Sequence, residues 1–417
     1  MNVWGRRPAV TMDRVRLAFA IVVVSALGGC RQLLGLDTPA LGDGGGGGDG
    51  GGSALIDAPS AICGSWHAHH FSPCAIPAPN GPLDVTGSWQ LSTDTGLVMS
   101  LDASTVPSAP PSGAVLVQSS SSVEAYLISI ASFTVGSTGS LRVVGTRPLI
   151  VASWSTIEID GTIDVSSTTT QSGAGSDPGP FCTGARQGQT GVATAGSGGG
   201  GGGGFGGAGG SGGTGDNPPS ALGGAGGSAL ATPTTVFGGC SGAPSGLAGP
   251  GAADPNAFSA GGAGGGAIQL TALDSIHVSG VINAGGAGGG GAPNDTSCGG
   301  GGGGAGGFIG FDAASIALGG VVAANGGGGG GGAPFAGTGS PGQDGQPDAV
   351  PAMGGAASSC SEAGMVGGAG TMIDGASSTN PVEACGGAGG GGGVGFVLLW
   401  GVSVPGGVIS PTAIAGP

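Results

Sequence analysis

The chain contains no lysine. Its eight basic residues are all arginine, four of them fall within the first 16 positions, and none follows Arg186. Phosphate binding requires basic residues, so a nucleic-acid partner is excluded. Schiff-base chemistry has no amine to use, and a phosphate-binding loop has no Gly-Lys-Ser or Gly-Lys-Thr. Aromatic residues make up only 4% of the chain, which does not suit a deep small-molecule pocket. Histidine is limited to His67, His69, His70 and His277. His277 is the only one past residue 70, and its strand phase turns it outward, so no Gly-x-Ser-x-Gly nucleophile has a suitable base. The apolar run 17–27 is far shorter than the roughly 20 residues of a membrane-spanning helix.

The N-terminus carries targeting information instead. Arg6, Arg7, Arg14 and Arg16 stand against Asp13, the apolar run follows, and Gly28-Gly29-Cys30 closes the segment. A positive stretch, a short apolar stretch and small residues form a secretory signal. Leu27-Gly28-Gly29-Cys30 resembles the lipobox of bacterial lipoproteins. The resemblance covers the leader alone. It implies removal of residues 1–29, diacylglycerol on the Cys30 sulfur and acylation of the new amine, and hence a membrane anchor at Cys30. Arg31 stands where an aspartate would signal inner-membrane retention, so the expected address is the outer membrane, at the cell surface. Without the leader the chain keeps 22 of 23 acids and four arginines.

Glycine is abundant, 106 of 417 residues, but has no strict Gly-X-Y period, which excludes collagen. Ordering glycine costs more backbone entropy than ordering any other residue, so these stretches need an external scaffold or stay unstructured. Residues 30–61, with glycine from Gly44 to Gly52 broken only by Asp49, read as a flexible tether. Residues 62–108 read as a small N-terminal cap holding Cys63, Cys74 and three histidines.

Residues 109–417 carry a repeat. Ile128-x-Ile130-x-x-Phe133-x-Val135 leads to Gly139, Leu141 and Val143, and the pattern returns 24 residues later from Ile150 to Ile157-x-Ile159-x-Gly161-x-Ile163-x-Val165. It returns again as Ile276-x-Val278-x-Gly280-x-Ile282, Ile316-x-Leu318-x-Gly320-x-Val322 and Val402-x-Val404-x-Gly406-x-Val408. Strict alternation gives strands with one face in and one out, and the phased glycine marks a bend. The expected fold is mainly β: a short right-handed parallel β-helix, or solenoid, of about five coils. Gly-rich insertions at about 168–266, 285–307 and 325–393 leave the same corner each time. They either pack as extended polyproline-II-like strands that bond to their neighbours or form unstructured loops. The combination resembles Gly-rich bacterial surface proteins with β-helical, hemagglutinin-like repeats such as Ser275-Ile-His-Val-Ser-Gly280. That resemblance implies a surface or adhesive role and carries over no catalytic residue.

Seven cysteines follow Cys30, and an exported chain favours disulfides. Cys63 and Cys74 are near enough for a local bridge. Cys182, Cys240, Cys298, Cys360 and Cys385 leave their pairing open, with an odd one over. Cys63-x-x-x-His67-x-His69-His70-x-x-x-Cys74 is the one cluster of metal-ligand types, suited to zinc or copper. Its spacing fits no zinc pattern. A Cys63–Cys74 disulfide leaves His67 and His69, which share a strand face, as the metal candidates. No cofactor is expected. Glu158, Asp160 and Asp164 lie on the outer face of one coil, where paired carboxylates could serve a polysaccharide-active enzyme. Asp274 and Asp312 read as corner residues. The calcium-binding Gly-Asp nonapeptide does not recur. The expected function is a non-enzymatic, structural or adhesive surface lipoprotein, with glycans or other envelope components as partners. A carbohydrate-active enzyme and a metal-binding envelope protein are the alternatives.

Overall fold

Alternating apolar residues become parallel strands at the register the repeat defines: Phe133 lies beside Ile157, Ile157 beside Ile276, and Ile276 beside Ile316. The computed structural model describes residues 63–102, 111–118, 122–182, 185, 196–215, 221–249, 252–294, 297–334, 336–359, 361–378 and 385–417. The leader, Cys30 and the tether to residue 61 lie outside the described residues. The described part belongs to one compact unit, Ala54–Pro417.

The protein is mainly β, with curled sheets whose strands run mostly parallel. The strands form three stacks. The first holds β5 (Glu124–Ile130), β8 (Leu149–Ser153), β11 (Ala267–Ala272) and the early parts of β14 (Phe308–Leu318) and β16 (Phe396–Pro405). The second holds β1 (Leu83–Val85), β6 (Phe133–Val135), β9 (Thr156–Ile159), β12 (Ser275–Val278) and the later parts of β14 and β16. The third holds β2 (Ser88–Ser92), β7 (Ser140–Val144), β10 (Thr162–Asp164), β13 (Val281–Asn283), β15 (Val321–Ala323) and β17 (Val408–Ser410). Antiparallel strands β3 (Val98–Ser100) and β4 (Ser112–Val117) cover β2 and β5, and β18 (Ile414–Ala415) lies along Leu398–Leu399. The 62–108 segment, expected as a separate cap, thus contributes β1 and β2 to the same sheets as the repeats.

Inward side chains from all three stacks form one core, with Val151 and Leu270 from the first, Ile157 and Ile276 from the second, and Ile163 and Ile282 from the third. Each such residue contributes about 1.5–3 kcal/mol on burial. The first stack is buried on both faces, so β8 and β11 lose the in–out alternation. Its outer face carries Ile150, Phe308 and Leu398 and packs against Trp66, Phe71, Phe205 and Phe237.

The last layer departs from the expected phase. Between the first and second stacks, Ala313 and Ala314 of β14 stand opposite the single residue Gly401 of β16. Gly401 has φ of +140° and sits where a Cβ would collide with the Ala313 carbonyl. One residue fewer flips every side chain that follows. Ser403 therefore takes the inward position of Ile316, Pro405 that of Leu318, and Ile409 that of Val322. Val402, Val404 and Val408, expected inside, point outward, and Gly407 rather than Gly406 stacks on Gly320.

The described parts of the three insertions pack together. Gly300 and Gly303 donate backbone hydrogen bonds to Gly387 and Gly390; Gly301 and Gly304 donate to Gly290 and Ala287; Gly302 and Ala305 donate to Ala243 and Cys240. Successive residues thus address three different neighbours, and each neighbour recurs every third residue, the period of polyproline II. A Cβ on the same run would collide with backbone of three more segments, at Gly198 and Gly201, Gly327 and Gly330, and Ala260 and Ala263. Gly299–Gly304 is therefore enclosed by six chain segments, and only glycine fits. Phe205, Phe308 and Phe396, at or near the ends of three glycine runs, join one aromatic-apolar cluster on the first stack. Cys182 is bridged to Cys240, and Cys385 is also disulfide-bonded. The buried Cys298 Sγ donates to the Ala257 carbonyl at 3.2 Å.

Candidate functional site

Three places carry the polar chemistry expected from the sequence. The first is the loop closed by the Cys63–Cys74 disulfide. Trp66 anchors it, edge-on to Phe71 at 5.8 Å and to Trp154 at 5.3 Å. His67 is exposed. His69 turns instead to Asp312: its backbone N–H donates to Oδ2 at 2.7 Å, and Nδ1 lies 3.2 Å from Oδ1. The His69 ring stacks on Trp400 at 5.2 Å, and His70 meets the same indole edge-on at 5.1 Å. Burial, and then the neighbouring His69, lowers the His70 pKa to about 4. Burial raises that of Asp312, partly opposed by its bonds to His69. Among the described residues no group of three or more His, Cys, Asp or Glu could hold a metal ion. His69 thus acts as a clasp between loop and stack. Asp312 stands at the end of the first-stack part of β14, next to the corner, and is buried rather than an exposed turn residue. Its partnership spans 243 positions, and no local pattern announces it.

The second place is the acidic outer face. Glu158 lies on β9 of the second stack, in register with Thr134 and His277. Asp164 lies on β10 of the third stack, paired with Arg142 at 2.8 Å and accepting from the Ser166 N–H at 2.9 Å. Asp160 accepts from the Ser279 hydroxyl of the next layer. Glu158 and Asp164 thus sit on different stacks, and Asp160 and Asp164 tie neighbouring layers together.

The third place has no sequence signature. Where the third stack meets the insertions, cavities of about 370, 650 and 240 Å³ adjoin. Asp177 and Ser241 are shared by the first two, and Gln171, Ser172 and Ala263 by the second two, so the three form one open trough. The stack contributes Ser92, Asp94 and Thr146, and the 168–172 segment contributes hydroxyls and the Gln171 amide. Asp94 is held by the Thr146 N–H at 2.9 Å and the Thr146 hydroxyl, with Arg147 3.8 Å away. Asp177, at φ +52°, accepts from the Ser241 N–H at 3.1 Å. Among the described residues that line it there is no aromatic ring. Such a wall is about evenly polar and apolar, and its hydroxyl, amide and carboxylate groups can make hydrogen bonds. The trough stayed hidden because 168–178, 241 and 263 come together only when the insertion folds back on the stack.

Comparison with family models, with curated proteins and with solved structures finds no match to this chain.

Proposed function

We propose that the chain is a non-enzymatic surface lipoprotein of a bacterial outer membrane, anchored through acyl chains on Cys30, with a structural or adhesive role. In this reading the three stacks make a short right-handed β-solenoid of about five coils, and the glycine layer stiffens its side. Envelope or extracellular glycans are the proposed partners. The observation that carries the adhesive part is the trough: it is open and offers hydroxyl, amide and carboxylate groups along its wall. The Arg142–Asp164 ion pair and the separation of Glu158 from Asp164 weigh against the enzymatic alternative. The engagement of His69 by Asp312 weighs against the metal-binding one.

Two measurements test this. Cys30→Ser should move the chain out of the outer-membrane fraction and abolish incorporation of labelled palmitate; if the variant is still lipidated, the anchor is elsewhere. Binding of the full chain to an array of envelope polysaccharides should be lost in Gln171→Trp, which crowds the junction of the two cavities that Gln171 lines, while the thermal melt stays unchanged. Binding that survives this substitution would place the glycan contact elsewhere.

A further inference from the structure

The two ends of the stacks are built differently. At the N-terminal end, antiparallel β3 and β4 close the third and first stacks. At the C-terminal end, β18 covers only Leu398 and Leu399 of β16. Among the described residues, Val402–Pro405 pairs only with β14, and β17 only with β15. Among the described residues, two strands therefore present, side by side, a backbone edge that no other strand covers.

Their side chains are also unusual for an edge. Along the outer face of the second stack, one row runs Thr156, Ser275, Ser315, Val402, and the next runs Glu158, His277, Ala317, Val404. Polarity falls toward the open end. Val402 is 73% exposed and Val404 67%. The phase flip at Gly401 puts them there, since the inward places go to Ser403 and Pro405. Free edges are normally blunted by charge, lysine above all, because unpaired N–H and C=O groups invite another strand. Residues 384–417 contain no charged residue, in a chain of net charge −15. Pro405 is the one blunting feature, and it stands at the last position of the strand.

We infer that this end docks a second copy of the chain, tail to tail, with the two β16 edges paired antiparallel about a two-fold axis. An isologous contact must be self-complementary, and antiparallel pairing about a two-fold axis satisfies that. It sets Val402 of each copy opposite Val404 of the other, an apolar cross-strand pair on one face. Charge favours the same end: side-chain carboxylates line the outer faces, and residues 384–417 carry no charged side chain. A lipid surface would cover the valines but leave the strand edge without hydrogen bonds, so a strand from another chain fits better. The proposal does not depend on the envelope reading above.

The test is the mass of the full chain in detergent, by sedimentation equilibrium across a concentration series. The expected result is a monomer–dimer equilibrium with no larger species, because two-fold contacts close at two. Val402→Asp with Val404→Asp should leave only monomer, while Thr156→Asp, on the same face but inside the stack, keeps the dimer. Far-ultraviolet circular dichroism and the thermal melt of each variant check that it folds. A wild-type chain that stays monomeric up to about 100 µM overturns the proposal. So does a dimer that survives the double substitution, as does open-ended polymer.

Discussion

The stacks and the glycine layer solve the same problem by opposite means. In the stacks, backbone hydrogen bonds run between strands, and side chains such as Ile157, Ile276 and Ile316 fill the interior. In the layer, the interior is backbone. A run such as Gly299–Gly304 is surrounded on six sides, and its contacts are hydrogen bonds and carbonyl approaches rather than methyl groups. The stack is tolerant where the layer is not: a core side chain can shrink or shift, whereas a peptide group packed on a peptide group has nowhere to go. The layer also records its own depth. Gly198–Gly204, Gly299–Gly304 and Gly326–Gly332 lie inside and are all glycine. Segments with two glycines in three, such as 207–215 and 221–228, expose or half-expose the third residue and half-expose one glycine of each pair. Segments with one in three, such as 339–345, bury Gly342 and Gly345 and expose or half-expose the rest.

Gly302→Val places a branched side chain against the Gly201 carbonyl, where no neighbour can yield. It should cost about 4 kcal/mol or more and abolish amide protection across all three insertions in hydrogen exchange. Damage confined to residues near 302 would mean that the insertions do not fold as one unit. Ile276→Ala in the stack core should cost about 2–4 kcal/mol in chemical denaturation, with the layer still protected at low denaturant.

A third effect belongs to the disulfide loop, which covers the first stack with side chains where the layer does not reach. The His70 pKa is lower when folded, about 4 against 6.5, so its contribution is complete above pH 6.5. That contribution falls as pH drops toward about 4, by up to about 3 kcal/mol. Asp312, raised by burial, works with the opposite sign and recovers stability as acid protonates it. His70→Asn keeps a residue that tolerates its φ of +72° and should flatten the acid limb of the stability–pH curve. A limb of unchanged slope would assign the acid sensitivity elsewhere. The smallest effect is expected at Ala225, which points out of a segment with two glycines in three. Ala225→Leu should change stability by less than about 0.5 kcal/mol, although Gly224 and Gly226 flank it.

Much of the stack was legible because alternation and a phased glycine are local signals repeated at fixed spacing. The pairing of Phe133 with Ile157, and the corner from which the insertions leave, follow from it directly. The last layer departs from the pattern for an equally local reason. Val402, Val404 and Val408 alternate as core residues do, and only the shortened corner at Gly401 decides that they face out. The Cys63–Cys74 bridge was legible from proximity in the chain. The His69–Asp312–Trp400 clasp was not, since its parts meet only through tertiary packing. The count of glycines per three residues was in plain view and carries more than composition suggests: it is the burial pattern of a three-fold helix.

The three phenylalanines near the ends of glycine runs have a further consequence. A run of identical residues holds no record of its own alignment; sliding Gly299–Gly304 by one residue presents the same surface to every neighbour. The setting must come from outside: Phe308 and Phe396 open the first-stack strands β14 and β16, and Phe205 packs on Phe396. An inserted or lost single residue would turn each following side chain by a third of a revolution away from its peg. Three residues at a time would change the run by one turn, about 9 Å, and return the peg to its socket. Length in this layer is therefore quantised in steps of three residues, and variants that differ by one or two should be the ones that fail to fold.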